Sequence, residues 1–310
     1  MIFLPSEQFE GYNIRTENKM NSFSKKLSQN QFIVTTELNP PKGTELEPLI
    51  SKALTLRNHI DAFNLTDSHS ARMSMAPIAA AHKLKLNNIE PILQVACRDK
   101  NRISLQGDLL AANALGIQNI LCMTGDNPKA GDHPDAKGVF DIDAVSLINA
   151  ATRLNSGYDL SDSKLAGSPS FCVGAVVNPS AQDLDAEIAR LEQKIDSGAV
   201  FFQTQGIYDV KQFQNFMQRI EHTNAKIIAG VMILKSAKMA RFFNKNLFGV
   251  SIPNQIIKQL DSSKNNRQAT TKITTKIIQE IKDSCHGIHI MALGWEDLIP
   301  QIISESNVKS

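Results

Sequence analysis

The sequence has little cysteine and no short metal-binding spacing. Its 310 residues include four cysteines, none in a CxxC arrangement: Cys97, Cys122, Cys172 and Cys285. Three of them lie inside apolar runs, so we interpret them as small buried residues of a reduced, cytoplasmic protein without a bound metal. The alternative is a metal site in which three thiolates from neighbouring strands converge.

Long apolar runs and an excess of charge of one sign are also missing. No run approaches the roughly 18–20 residues that a membrane span needs, and residues 1–5 lack the basic leader of a signal peptide. The 33 lysines and arginines nearly balance 31 acidic residues, and no basic run is interleaved with aromatic residues. We therefore expect neither a membrane nor a nucleic-acid partner, and a homo-oligomer stays open.

What the sequence does contain is a repeated rhythm of short apolar runs, polar turns and segments of helical period. Eight such runs show little polar alternation, which is typical of strands buried on both faces of a parallel sheet. They are residues 32–38, 60–65, 91–97, 120–123, 171–177, 199–205, 227–234 and 288–293. Most successive runs begin about 30 residues apart, the length of one strand–helix unit.

Several of the intervening segments carry helix signals. Residues 184–195 have an apolar stripe of helical period, and Pro77 is suited to a first helical turn. Thr44 and Glu47 have the spacing of a capping box. Gly287 is predicted to cap the helix that precedes the last apolar run.

Eight strand–helix units can form either an open doubly wound sheet or a closed barrel. An open dinucleotide-binding sheet normally carries GxGxxG after its first strand, whereas residues 38–43 read LNPPKG. We therefore predict a single-domain (β/α)8 TIM barrel over residues 29–310, with its site at the C-terminal ends of the strands. Residues 1–28, which are polar and rich in Asn, Ser and Lys, are predicted to form a flexible N-terminal arm.

Glu37 ends the first predicted strand. A carboxyl group at the end of an apolar strand is partly removed from water, which raises its pKa and suits it to general-acid chemistry near neutral pH. The alternative is a structural ion pair with Arg72 or Arg98.

Polar side chains also end the fourth and sixth predicted strands. Asp126 can contact a ligand or form an Asx-turn or helix cap. The amide of Gln205 both donates and accepts, so it can pair with the edge of a heterocycle such as a pterin, or bond to backbone in the core. Among the seven histidines only His289 lies within a predicted strand, and it is a candidate for lining the same cleft.

Four stretches of the chain resemble the methylenetetrahydrofolate reductase family: residues 36–41 (TELNPP), 121–126 (LCMTGD), 194–199 (KIDSGA) and 204–209 (TQGIYD). The resemblance extends from about Phe32 to Leu293 and so covers the whole barrel. It implies reduction of a small-molecule folate, 5,10-methylenetetrahydrofolate, to 5-methyltetrahydrofolate. FAD would carry the hydride, taken from NADH or NADPH.

The resemblance also assigns roles to individual residues. Glu37 matches the acid that protonates the substrate when its five-membered ring opens to an iminium, and Asp126 matches a second catalytic carboxylate beside the flavin and the pterin. Gln205 matches the folate-binding amide, and Gln203 precedes it on the same strand as a further substrate contact. Contacts to FAD are expected at five positions: Thr66, Gln94, Thr124, Asn178 and Lys194.

Differences from the family pattern lie on the flavin side. Residues 124–126 read TGD where the family commonly has Arg-Gly-Asp, and Gln94 stands where a His is common. Residues 176–179 (VVNP) replace a Tyr-Pro…His-Pro segment. These differences are typical of a divergent branch. Two alternative functions stay open: a pterin-dependent methyl-transfer barrel, and a folate-binding accessory subunit without redox chemistry.

Overall fold

Eight parallel strands form the wall of the molecule. The computed structural model describes residues 22–246 and 249–308. In chain order the strands are β1 (Ile33–Leu38), β2 (Ala62–Leu65), β3 (Pro91–Ala96), β4 (Asn119–Met123), β5 (Cys172–Val177), β6 (Phe201–Gly206), β7 (Lys226–Met232) and β8 (Gly287–Met291). Each strand pairs with the next, and β8 pairs with β1, so the sheet closes on itself. The predicted (β/α)8 TIM barrel is confirmed.

Most of the helices connect the strands and cover the outside of the wall. They are α1 (Ser22–Ser28), α2 (Glu47–Leu56), α3 (Pro77–Leu86), α4 (Arg102–Ala114), α5 (Ala144–Asn155), α6 (Leu184–Asp196), α7 (Val210–Arg219), α8 (Ala237–Asn246), α9 (Asn254–Asp261), α10 (Asn266–Ile281) and α11 (Ile299–Ser306). Pro77 begins α3 as predicted. A proline is tolerated there because an N–H in the first turn of a helix has no intrahelical acceptor, so its absence breaks no hydrogen bond. Among the helices in the described ranges, none combines the length and the apolar character needed to cross a bilayer.

Two predicted helix boundaries are wrong. The residue before α2 is Leu46 and no side chain caps this helix, so Thr44 does not close a capping box. Gly287 does not cap α10, which ends at Ile281, but begins β8. A Cβ on Gly287 would lie 2.3 Å from the Ile33 carbonyl oxygen, so the glycine is needed for the close approach of β1 and β8.

The last seven residues of the segment predicted as an arm are part of the fold. Ser22–Ser28 form α1, whose Phe23 and Leu27 are buried. The Phe23 ring packs edge-to-face on Phe201, with 5.1 Å between ring centroids. Two apolar residues four apart in a polar segment are too few to indicate a helix from the sequence. Residues 1–21 of the predicted arm lie outside the described residues.

The N-terminal half of the barrel interior is a packed apolar core. Phe23 and Leu27 join one cluster with six inward-facing strand residues: Ile33, Ala62, Ile92, Leu121, Phe201 and Ile228. Gly174 on β5 leaves room for the Phe201 ring, which would lie only 2.2 Å from a Cβ at that position. This end of the interior is therefore filled, and the opposite end is the one that can hold a ligand.

Candidate active site

A set of buried polar side chains lies between the apolar half of the barrel and its open end. We call Thr35, Asn64, Gln203 and His289 the polar layer. Asn64 Nδ2 donates to Gln203 Oε1 at 2.6 Å, and Gln203 Nε2 donates to Asn64 Oδ1 at 3.1 Å. Thr35 Oγ1 lies 2.9 Å from His289 Nδ1. Gln203 and His289 therefore lie beneath the cleft, bonded to other side chains, and not among the residues that open onto it.

Glu37 lies above the polar layer. It follows Thr35 by two residues on β1, so it shares the inward face of the strand. Burial raises the pKa of its carboxyl; the charge of His69 opposes this rise and that of Glu296 adds to it. A carboxyl that keeps its proton to a higher pH is suited to act as an acid.

The ion pair weighed as an alternative for Glu37 is not found within the described residues. Arg98 pairs instead with Asp99 at 2.7 Å, and no hydrogen bond or ion pair joins Arg72 to Glu37 in the described part of the chain. No hydrogen-bond partner of the Glu37 carboxyl is present in the described part of the chain. Its proton is therefore available to a molecule in the cleft.

Asp126 projects from the loop that follows β4. The side chains of Asp126 and Thr124 are exposed at the rim of the barrel. Gly125 between them has φ +88°, and a Cβ there would lie 3.0 Å from the Cβ of Arg98. The next helical turn is capped by Asn127, whose side chain accepts from Lys129 N, so Asp126 does not serve as that cap. Its carboxylate is left facing solvent.

Gln205 lies at a β-bulge in β6. The register with β7 shifts between Gln203 and Gly206. Thr204 stabilises the bulge: its Oγ1 donates to the Gln205 carbonyl at 2.7 Å and accepts from Gly230 N at 2.8 Å. Bulges redirect the side chains beside them. The Gln205 amide is partly exposed and has no partner in the described ranges, so it is not the backbone-bonded core glutamine of the alternative interpretation.

The five residues expected to contact FAD fall into two groups. Gln94, on β3, faces the barrel interior, and Thr124 stands at the neighbouring rim. The other three are held by protein groups: Thr66 Oγ1 donates to Asn39 Oδ1 at 2.8 Å, Asn178 Oδ1 accepts from Ser180 N at 3.0 Å, and Lys194 Nζ donates to the Val176 carbonyl at 2.7 Å.

Lys194 belongs to the barrel wall. It is 5% exposed, in the interface between α6 and β5, and burial lowers the pKa of its ammonium. The structure therefore does not bring it to the cleft with Glu37. The sequence contained a signal for this placement, because Lys194 follows Leu191 by three residues and so continues the buried stripe of α6.

A second cluster lies at the rim, beside Asp126; the sequence places Asp67, Arg98 and Asp99 at strand ends that face one cleft but assigns them no role. The Arg98 side chain is 3% exposed and is fixed by Asp99. Asp67 accepts from Ala96 N at 3.0 Å, and burial raises the pKa of its carboxyl. The nearby charge of Asp126 adds to the effects that raise the pKa of Arg98. These residues are adjacent to predicted strand ends, but their contacts join three strands and no sequence pattern predicts them.

Comparison with known proteins identifies the family of the chain. The family model described as methylenetetrahydrofolate reductase matches residues 22–307. Methylenetetrahydrofolate reductase 2 of Schizosaccharomyces pombe is 24% identical, over 91% of this chain and 46% of its own length. The 5,10-methylenetetrahydrofolate reductase of Pectobacterium carotovorum is 23% identical, over 82% and 81%. The chain thus spans less than half of the yeast protein and most of the bacterial one.

A solved structure shares the fold. It is an uncharacterised protein from Clostridium thermocellum that binds two copies of 5-methyl-5,6,7,8-tetrahydrofolic acid. It superposes with a TM-score of 0.61 at 15% sequence identity and covers 92% of this chain and 98% of its own. The family match extends from α1 through α11 and takes in every strand that contributes to the cleft. This chain is a member of the methylenetetrahydrofolate reductase family.

Proposed function

We propose that this chain reduces 5,10-methylenetetrahydrofolate to 5-methyltetrahydrofolate, with Glu37 as the general acid. The observation that carries the proposal is the carboxyl of Glu37, which has a raised pKa and no partner among the described residues at the open end of the barrel. The names of the relatives and the folate bound by the Clostridium thermocellum protein support the same substrate class.

Glu37 would act when the five-membered ring of the substrate opens. Cleavage of the ring leaves electron density on a nitrogen, and a proton from the carboxyl neutralises it as the iminium forms. Burial favours the protonated acid before the reaction, because the carboxylate is the form that desolvation disfavours. The protonated carboxyl of Glu37 is thus suited to the ring-opening step that forms the reactive iminium.

Gln205 and Asp126 would orient the substrate. The amide of Gln205 can donate and accept in one plane, which matches the paired donor and acceptor edge of a pterin. Asp126 would accept a hydrogen bond from the same ring or from the cofactor. Both residues project from strand ends on the same rim as Glu37, which is the end of the barrel where a ligand would bind.

The residues on β3 and β4 fit a flavin. Gln94 faces the interior and Thr124 the rim, and neither side chain has a partner in the described part of the chain, so their donors are free for a ring rich in nitrogen and oxygen acceptors. FAD, when bound, supplies the hydride that NADH or NADPH provides. Thr66 and Asn178, although bonded to protein groups, belong to the same end of the barrel. We propose Gln94 and Thr124 as the principal cofactor contacts.

Replacement of the acid tests the function. Glu37→Gln keeps the size of the side chain and removes the proton, so we expect the rate of NADH or NADPH oxidation with methylenetetrahydrofolate to fall about 100-fold or more. Glu45→Gln, an exposed carboxyl on the loop after β1, is the matched control and should retain full activity.

Two outcomes would contradict the proposal. Normal turnover by Glu37→Gln would remove Glu37 as the acid. Folate binding by the unaltered protein, without oxidation of either nicotinamide in the presence of FAD, would favour the accessory folate-binding function instead.

A further inference from the structure

Helix α4 is apolar on both of its faces. The face toward the barrel is buried in the core through Leu105, Leu109 and Ala112. The outward face is exposed and is also apolar, and we call five of its residues the α4 face: Ile103, Gly107, Leu110, Ala111 and Ala114. A surface helix normally presents polar side chains to water, and a helix that is apolar all round is normally buried. The α4 face therefore has the composition of an interface.

The apolar surface continues past the end of α4. Leu115, the residue after the helix, and Leu86, the last residue of α3, are both exposed. His82 Nδ1 lies 3.4 Å from the Leu115 carbonyl oxygen, so the end of α3 lies beside the end of α4. Ile103, at the other end, is 78% exposed, the largest fraction among the large apolar side chains of the described ranges. Contiguous exposed apolar surface of this kind is typical of an interaction site.

Gly107 has no explanation within a single chain. It lies in the middle of α4, its φ is not positive, and a Cβ there would meet nothing within 4 Å among the described residues. Glycine at such a position costs about 1 kcal/mol relative to alanine. A glycine that neither the backbone nor the packing of its own chain requires is explained by the close approach of another molecule. Gly107 thus indicates a partner that comes close to α4 from outside.

Both charged residues of α4 are already paired. Arg102 pairs with Asp141 at 2.8 Å, and Asp108 pairs with Lys100 at 2.5 Å. Burial of an unpaired charge would strongly oppose association. The α4 face can be covered without that cost, because the charges at its border keep their partners.

Two copies of the α4 face are complementary to each other when the helices run antiparallel. Ile103 of each copy then lies opposite Ala114 of the other, and Leu110 lies opposite Gly107, so each large side chain meets a small residue. In a parallel pair each residue would meet its own counterpart, with two isoleucines in collision and a gap between two glycines. The antiparallel pair also places the positive end of each helix dipole beside the negative end of the other.

We propose that the α4 face joins two copies of this chain in a symmetric dimer with the two α4 helices antiparallel. A twofold interface uses the same patch on both subunits, which requires a surface that is complementary to itself. The alternation of large and small residues along α4 meets this requirement. The close approach of Leu110 from the second copy accounts for Gly107.

Sedimentation of the full chain tests the dimer. At micromolar concentrations we expect the unaltered protein to sediment with twice the mass of one chain. Ile103→Asp places an unpaired charge in the interface and should weaken association about 100-fold or more, so that the mass falls to that of one chain. Phe242→Asp, at an exposed apolar residue of α8, is the matched control and should remain a dimer.

Gly107→Leu separates the interface from the fold. Its side chain enters open space in a single chain, and leucine favours a helix more than glycine does. Added to Ile103→Asp, it should therefore not lower the free energy of unfolding. Added to the unaltered protein, it would collide with Leu110 of the second copy and should weaken association about tenfold or more.

Two results would overturn the dimer. An unaltered protein that sediments as a single chain at every concentration would show that a different molecule, or no molecule, covers the α4 face. A dimer that is as strong in Ile103→Asp or in Gly107→Leu as in the unaltered protein would show that the copies meet through another surface. Neither measurement involves a folate, FAD or a nicotinamide, so failure of the dimer leaves the proposed function intact.

Discussion

Burial acts in opposite directions on the pKa values of two titratable groups on the inward face. It raises the pKa of Glu37 and lowers the pKa of His289 to about 4, because in both cases the charged form is disfavoured. The neutral imidazole of His289 suits its contact with the Thr35 hydroxyl, since one of the two groups must donate and the other accept. The neutral form of His289 thus serves the structure of the polar layer, and the neutral form of Glu37 is the one that the proposed function requires.

We expect His289 to make stability depend on pH between about 6.5 and 4. As pH falls through this window the unfolded chain binds a proton at this position and the folded protein does not, so the free energy of unfolding decreases. The loss should reach roughly 3 kcal/mol near pH 4.

Urea unfolding of the unaltered protein and of His289→Gln at several pH values measures this effect. The difference between the two proteins should change across the window, because only the unaltered protein carries the titrating group. Parallel pH profiles for the two proteins would contradict the assignment of this slope to His289.

The elements show which parts of the site follow from sequence. All eight apolar runs are strands, with ends within about two residues of the predicted ones. The prediction succeeded because strands buried on both faces are apolar at nearly every position. Since those strands are parallel, their C-terminal ends meet at one rim, and Glu37, Asp126 and Gln205 could be placed there from the sequence.

What the sequence could not give was which side chains meet across the barrel. Alternation puts Gln203 and Gln205 on the same inward face, but only the arrangement of β2 and β6 brings Asn64 to Gln203. The bulge in β6 depends on a contact between Thr204 and Gly230 of the next strand, and single-strand periodicity contains no information on it. The predicted cap of α2 was wrong because it depended on the path of the loop. Thr44 has the spacing of a capping residue, but the loop before α2 does not place it at the helix end.

The loop after β4 depends on glycine at position 125. Gly125→Ala should destabilise the protein by about 2 kcal/mol, because the new Cβ would occupy a left-handed conformation and press on Arg98. Gly43→Ala is the control, since a Cβ there meets nothing within 4 Å.

Chemical denaturation measures the free energy of unfolding of both variants. If Asp126 contacts the substrate, the KM for methylenetetrahydrofolate should also rise in Gly125→Ala. An unchanged free energy of unfolding in Gly125→Ala would show that the loop tolerates a side chain at this position.

On the scale of the whole molecule, the barrel has a sealed end and an open one. α1 closes the N-terminal end with Phe23, which is fully buried against Phe201. The polar layer then divides this apolar core from the cleft. Substitutions at the sealed end should therefore alter stability, whereas substitutions at the rim alter binding and turnover.

Phe23→Ala tests this division. Removing a fully buried ring should lower the free energy of unfolding by about 3 kcal/mol or more. Phe242→Ala on α8, where the ring is 61% exposed, should cost under about 1 kcal/mol. Comparable losses in the two variants, measured by denaturant unfolding, would mean that α1 does not close the barrel.

The contact between Phe23 and Phe201 also has a consequence for synthesis of the chain. α1 leaves the ribosome well before the sixth strand, which carries the ring on which Phe23 packs. Until β6 has left the exit tunnel, Phe23 and Leu27 have no completed surface to cover them. A nascent chain halted before that point would expose the first helix, and its apolar face would be open to chaperones or to other nascent chains.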